Sequence, residues 1–283
     1  MTNVVIPNSV ISIGEGAFLS CPKLTNAVIG NGVSSIGESA FSYCSKLTSI
    51  TIGSSVTNIG SFAFENDNSL TNLTVGCPSI GTWFSGFSLK SVTMLNSVTN
   101  IGSEAFNDCT KLTHVTIPNS VISIGTNAFA ECSSLTNVTI PGSVTNIGAG
   151  AFADCTSLTS VYFQGNAPIS GSGYSVFSDD NNMTIYYLPE TTGWNPNLFF
   201  GIRLVLWNPQ VQTESATFGI QTNQFGFTIT GTNGLVVVVQ ACTNLADPVW
   251  VPLATQTLTG GSFYFKDLGW TNHSGRFYRL SSP

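Results

Sequence analysis

The sequence predicts a mainly β protein: a repeat solenoid of about seven units of 21–23 residues, a C-terminal cap, and a small β-sandwich. Three observations predict it. An Ile-Gly pair recurs at Gly14, Gly37, Gly60, Gly81, Gly102, Gly125 and Gly148, with successive spacings of 23, 23, 21, 21, 23 and 23 residues. Charged residues make up only 8% of the 283, against about 25% in ordinary soluble domains. The polar surface therefore comes from Ser, Thr, Asn and Gly, which suit strands and turns better than helix faces. Beyond Trp207-Asn208-Pro209 the repeat gives way to short strand-like runs parted by glycine-rich turns.

Each full unit reads Leu-Thr-x-Val-Thr-Ile-Pro-x-Ser-Val-x-x-Ile-Gly-x-x-Ala-Phe-x-x-Cys. In Leu112-Thr113-His114-Val115-Thr116-Ile117-Pro118, Val115 and Ile117 stand two apart and face one side of a short strand. Thr116 faces the other side, and Pro118, lacking an N–H, ends the strand. Ser-Val-x-x-Ile-Gly then crosses back, with glycine allowing the bend. Ala-Phe, at Phe18, Phe41, Phe64, Phe106, Phe129 and Phe152, plugs the interior. One unit buries little by itself, but units stacked about 4.8 Å apart bury a continuous core. The fourth unit has Thr82-Trp83-Phe84-Ser85-Gly86-Phe87 where the others have Ala-Phe, and the fourth and fifth units are two residues short. A kink or an irregular loop is expected there.

With Ile-Gly, Ala-Phe and Cys in register, residues 1–165 resemble the BspA-like class of leucine-rich repeats, whose Leu-x-x-Leu-x-Leu opening they share. The resemblance implies surface display, adhesion and binding of protein or matrix partners. Residues 166–207 read as the cap, with Val176-Phe177 as a worn plug and Ile185 to Leu188 as a final strand. The segment from Tyr186 through Gly193-Trp194 is similar to those that close such arrays in secreted bacterial proteins. Residues 208–283 read as a β-sandwich and resemble small C-terminal modules that end in Arg-Phe-Tyr-Arg, here Arg276 to Arg279. The chain enters its first repeat at once, at Val4-Val5-Ile6-Pro7, without a charged and then apolar leader. Two readings fit: a cytoplasmic protein, or a mature or truncated form whose export signal lies outside these residues. Because a solenoid normally starts with a capping unit and none is visible, the second is expected, with an extracellular or cell-surface location.

Fourteen acids against eight bases give a net charge of −6 with no basic patch, so nucleic acid is not an expected partner. With no apolar run near the ~18 residues of a membrane-spanning helix, insertion is not expected either. Cys21, Cys44, Cys109, Cys132 and Cys155 each follow the repeat Phe by three residues. They read as buried structural thiols; disulfides between neighbouring units and a zinc site are the alternatives, and no Cys-x-x-Cys supports the latter. Neither histidine, His114 nor His273, is tied by sequence to a nucleophile, and no paired carboxylates converge, so neither catalysis nor a cofactor is expected. Asp108, Glu131 and Asp154 share one repeat position and should form an exposed acidic column, screened by solvent or holding a divalent cation. Ser178 to Asn182 reads as an Asx-rich turn, with a calcium loop as the alternative.

The outward strand positions give the candidate binding surface: Thr51, Thr74, Thr93, Thr116 and Thr139, beside His114 and Asn137, with Trp83 and Phe84 from the irregular fourth unit. A nearly uncharged face of this kind suits a protein or polysaccharide ligand recognised by shape and hydrogen bonds. The threonine array also invites an ice-binding reading, set against the plain fact that Thr is a good exposed strand residue. Self-assembly through an uncapped first strand is the alternative of a different class.

Overall fold

The structure, a computed structural model, describes residues 1–168, 176–180, 183–195, 199, 202–221 and 224–283. The chain divides into two compact units: Met1–Ile185 with Thr191–Leu204, and Tyr186–Glu190 with Val205–Pro283. The expected cap, 166–207, is thus shared between them.

The first unit is a β-solenoid. Its first three rungs carry β1 (Asn3–Ile6) and β2 (Ser12–Ile13), β3 (Asn26–Ile29) and β4 (Ser35–Ile36), and β5 (Ser49–Ile52) and β6 (Asn58–Ile59). Rungs 4 and 5 carry β7 (Asn72–Val75) and β8 (Ser79–Ile80), then β9 (Ser91–Met94) and β10 (Asn100–Ile101). Rungs 6 and 7 carry β11 (His114–Thr116) and β12 (Ser123–Ile124), then β13 (Asn137–Ile140) and β14 (Asn146–Ile147). β15 (Ser160–Phe163), β16 (Thr184–Tyr187) and β17 (Arg203–Leu206) follow.

The first strands of the rungs form one ten-stranded sheet in the order β1-β3-β5-β7-β9-β11-β13-β15-β16-β17. The sequence places the last strand at Ile185 to Leu188. β17 lies beyond it, which pairs an edge that β16 would otherwise leave open. From β1 to β15 the pairing is parallel and the same repeat position always meets itself, as in Val28 with Thr51 and Thr51 with Thr74. The two-residue strands form two smaller sheets, β2-β4-β6 and β8-β10-β12-β14.

A third ladder runs through the plug segments. In rungs 1, 2, 5 and 6 the amides two residues before the plug Phe, at it, and two residues after it donate to the next rung's carbonyls. Ser39, Phe41 and Tyr43 bond Ser61, Ala63 and Glu65 in this way, at 3.0, 2.8 and 2.8 Å. Two residues per plug hold left-handed backbone so that these amides point along the stack; in rung 6 they are Asn127 (φ 53°) and Glu131 (φ 60°).

Inside, the plug phenylalanines form one column. Phe18, Phe41, Phe64, Phe84, Phe106, Phe129, Phe152 and Phe177 stack in succession with ring centroids 4.9 to 6.2 Å apart. Phe84 therefore serves as the fourth plug and Phe177 as the worn one. The repeat glycine has a different job from the bend expected of it. A Cβ on Gly125 would sit 2.4 Å from the Ser103 amide, and one on Gly148 2.4 Å from the Thr126 amide. The neighbouring rung's backbone occupies the space a side chain needs.

The second unit comprises β18 (Gln210–Gln212), β19 (Gly219–Gln221), β20 (Gln224–Thr230), β21 (Val236–Cys242), β22 (Val251–Thr257), β23 (Ser262–Asp267) and β24 (Phe277–Ser281). β18, β19 and β23 pair with β20, and β22 and β24 flank β21, all antiparallel. Phe227 and Phe265 of the first sheet meet Tyr278 of the second at 5.8 and 6.1 Å, so the two sheets share an aromatic core.

Replacing Gly125 with Ala should cost at least about 2 kcal/mol in chemical denaturation, because backbone must move to admit the methyl. Gly14→Ala, with nothing within 4 Å of the new Cβ, should stay within about 0.5 kcal/mol of the parent. Equal costs would refute the backbone-contact reason for the column.

Candidate functional site

The long sheet places the predicted surface residues as alternation requires. Leu73, Val92, Val115 and Val138 point inward and are buried, while Thr93, His114 and Thr116 are exposed and Thr51, Thr74, Asn137 and Thr139 half-exposed. Thr51, Thr74, Thr93, Thr116 and Thr139 face one another rung by rung. Beside them runs a second column, Ser49, Asn72, Ser91, His114. Asn137 follows in β13. Thr116 Oγ1 lies 3.3 Å from His114 Nε2 and ties the two columns in β11. From β3 to β13 these positions carry no Asp, Glu, Lys or Arg. The patch offers donors, acceptors and methyls on a rigid frame, with almost no net field.

Trp83 and Phe84 stand elsewhere. Phe84 is fully buried, since the plug position takes whichever aromatic completes the stack, so it offers no binding surface. Trp83 is half-buried and packs edge-on against Phe84 at 6.4 Å. Both missing residues of the second short spacing come out of this plug: Gly81 precedes Phe84 by three residues where Gly60 precedes Phe64 by four, and Leu89 follows by five where Leu70 follows by six. A short 3-10 helix, Thr82–Phe84, replaces the usual turn pair. The other short spacing removes two residues between β7 and β8, where Cys77 takes the buried place that Val56 and Val98 hold in adjacent rungs.

The consequence is a break between rungs 3 and 4. β6 and β8 belong to different sheets. The amides of Phe62, Phe64 and Asn66, which should donate to rung 4, have no hydrogen-bond partner among the described residues. A cavity of about 380 Å³ opens there, lined among others by Phe62, Glu65, Trp83 and Phe87. Phe62 is 60% exposed and holds a left-handed φ of 58°, which costs a residue with a Cβ about 1–2 kcal/mol. The same position elsewhere carries Gly16, Ser39, Glu104, Asn127 and Gly150. Sequence reading pointed to the fourth unit but missed Phe62. Its signal was a lone aromatic at a position otherwise small or polar.

The cysteine column is present. The thiols of Cys44, Cys109, Cys132 and Cys155 donate to the carbonyls of Phe18, Phe84, Phe106 and Phe129 in the preceding rung, at 3.1 to 3.3 Å. Burial pushes Cys44 up to about 11 and Cys77 and Cys109 to about 12, so these are poor nucleophiles. Two positions of this column hold carboxyls that sequence reading overlooked. Asp67 and Asp180 also follow a plug Phe by three, and both are buried. Asp67 Oδ1 accepts the Cys44 amide at 2.8 Å, while Oδ2 has no partner where a cysteine would carry its proton. Burial pushes Asp67 up to about 8, and burial with Asp154 and Asp179 nearby pushes Asp180 up to about 7.

Asp108, Glu131 and Asp154 form the exposed left-handed column two residues past the plug, continued by Asp179 (φ 68°). Among the described residues no three His, Cys, Asp or Glu side chains are grouped to hold a metal ion. Asn181 and Asn182 of the candidate calcium loop lie outside the described residues. Also among these residues, no helix is long and apolar enough to cross a membrane. In the second unit the Arg276–Arg279 motif is largely structural. Arg276 bridges Asp267 at 2.8 Å, Tyr278 donates to Asp267 at 2.7 Å, and Arg279 lies 4.4 Å from the Trp250 ring centroid.

Comparison with known proteins agrees with this architecture. The family model for the BspA type leucine rich repeat region, in six copies, matches residues 1–83 and 79–204. The chain belongs to the BspA-type leucine-rich repeat family. No curated protein matches it. Among solved structures it is similar to a leucine-rich repeat protein of Bacteroides ovatus, with 27% identity over 72% of this chain and 69% of that one and a TM-score of 0.44. A leucine rich cell surface protein of Faecalibacterium prausnitzii shares 23% identity over 73% and 79%, with a TM-score of 0.33. The pneumococcal vaccine antigen PcpA shares 16% over 72% and 79%, with a TM-score of 0.39.

Two outcomes test the internal column of this BspA-type solenoid. Under native conditions a thiol reagent should label the half-buried Cys21 and leave Cys44, Cys77, Cys109, Cys132 and Cys155 unmodified, whereas denaturant without reductant should expose all seven cysteines. Fewer than seven would mean disulfides. Asp67 holds its proton in the folded state up to pH about 8, but in the unfolded chain only to about 3.8. Stability should therefore fall as pH rises through that window, by at most about 1.4 kcal/mol per unit. Asp67→Asn keeps the Oδ1 acceptor and should flatten the dependence; an unchanged slope in urea melts at pH 5 and 8 would remove Asp67 as its cause.

Proposed function

We propose that this chain is a non-enzymatic recognition protein, displayed at the cell surface or secreted, whose long sheet binds a protein or polysaccharide partner. The observation that carries the reading is the register of the outward face. Five threonines stand in consecutive rungs beside Asn, Ser and His, on strands pinned by hydrogen bonds on both sides. Such a face contributes little electrostatic steering and gains affinity from shape and hydrogen bonds. The family membership supports the reading, because repeat arrays of this architecture offer one extended surface rather than an enclosed pocket.

A second reading is self-assembly. It would run through β1, which stands at one end of the sheet order among the described residues and carries Val5 68% exposed. Sedimentation yielding only monomers across a wide concentration range would remove it.

Panels of extracellular matrix proteins and polysaccharides should yield a partner for the full chain. Introducing Lys at Thr93 and Thr116 should weaken that binding at least tenfold without shifting the melting temperature, since both side chains point to solvent. Raising salt from 50 to 500 mM should change Kd less than about threefold. Undiminished binding to the double Lys variant would overturn the reading.

A further inference from the structure

We propose that the break between rungs 3 and 4 is a docking site for an extended polypeptide segment of the partner. The inference rests on the recognition reading above and names a different place and a specific chemistry for it.

Three observations meet at this junction. The first is the free edge. At the intact plug junctions the amides are satisfied by backbone carbonyls: Ser39, Phe41 and Tyr43 by rung 3, and, beyond rung 4, whose plug keeps only the Gly86 to Asn107 bond to rung 5, Glu104, Phe106 and Asp108 by Thr126, Ala128 and Ala130. Rung 4 supplies no such acceptors to Phe62, Phe64 and Asn66. On the adjoining side, the Ile36 and Ile80 carbonyls accept Gly60 and Gly102, whereas the Ile59 carbonyl has no partner among the described residues. The Thr57 carbonyl, whose equivalents on Ser34 and Pro78 each accept two amides, is likewise without a partner among the described residues, so the edge presents three donors and two acceptors.

The second observation is apolar. Phe62 stands at this edge in left-handed backbone, 60% exposed, and lines the cavity together with Trp83. The third is size. About 380 Å³ lies at the lower end of ligand-holding cavities, enough for a short segment and far too little for a folded face.

These features select the occupant. A row of donors alone would suit a carboxylate or a sugar hydroxyl as well as a peptide. Here the row of donors is continued by unpartnered backbone carbonyls on the adjoining side, and the chain itself fills the equivalent edges with peptide groups. A segment of partner chain running along rung 3 would supply carbonyls to Phe62, Phe64 and Asn66 and an N–H to Ile59, as in strand addition. Its apolar side chain would lie between Phe62 and Trp83. Rungs 3 and 4 need not part, because the Phe64–Phe84 stack (5.6 Å) lies inside the cavity's floor of core residues.

The test begins with the free chain. Amide exchange at Phe62, Phe64 and Asn66 should run at least a hundredfold faster than at Ser39, Phe41 and Tyr43; equal protection would overturn the proposal. Random heptapeptides displayed on phage are then selected on the full chain and resynthesised. The expected peptides slow exchange at the three amides and lose at least tenfold in Kd on Phe62→Gly. That variant suits the left-handed position, which Gly16 and Gly150 already occupy, and should keep the parent melting temperature. Recovery of no binding peptide, or of peptides indifferent to Phe62→Gly, overturns the site. Binding that responds only to the Thr93 and Thr116 variants would sink this inference and leave the broader recognition reading intact.

Discussion

Everything in the solenoid follows from backbone hydrogen bonds that join each rung to the next on three sides. Because these bonds pair a repeat position with itself, a residue type kept in the sequence becomes a column in space. Glycine is needed after the repeat Ile at Gly37, Gly60, Gly102, Gly125 and Gly148 because two backbones approach too closely for a Cβ. Phenylalanine fills the interior because a stack at about 5 to 6 Å matches the rise between rungs, with every ring after the first buried. The cysteine thiols add a second donor to buried carbonyls such as those of Phe106 and Phe129, which already accept the Cys109 and Cys132 amides. The same register holds a flat polar face on the outside, which independent loops could not do.

Such a structure tolerates a length change in one place only by giving up bonds there. The fourth rung loses two residues from its turn and two from its plug, and it responds in two ways. Where packing decides, it adapts: Cys77 replaces a valine, and Phe84 keeps the aromatic column continuous. Where backbone geometry decides, it fails, and two of the three ladders stop. The long sheet runs through unbroken, so the array remains one body with an opening on one side. Asp67 shows the complementary limit. A carboxyl fits the cysteine site by size and keeps one hydrogen bond, but burial makes it hold a proton that the solvated group would release.

The repeat period, the inward strand residues, the aromatic column, the worn plug at Phe177 and the outward threonines were all legible in the sequence, because period and alternation are local properties of the chain. So were the family resemblance and the short fourth unit. Sequence could not say which aromatic of Trp83, Phe84 and Phe87 would turn inward, since that depends on the spacing of rungs above and below. Nor could it mark Phe62 as exposed or Asp67 and Asp180 as buried, because each takes its environment from a column it joins. Tertiary structure alone decided these points, and with them where the ladder breaks. A hydrogen bond between rungs depends on two segments some 21 to 23 residues apart, and its absence is written in neither.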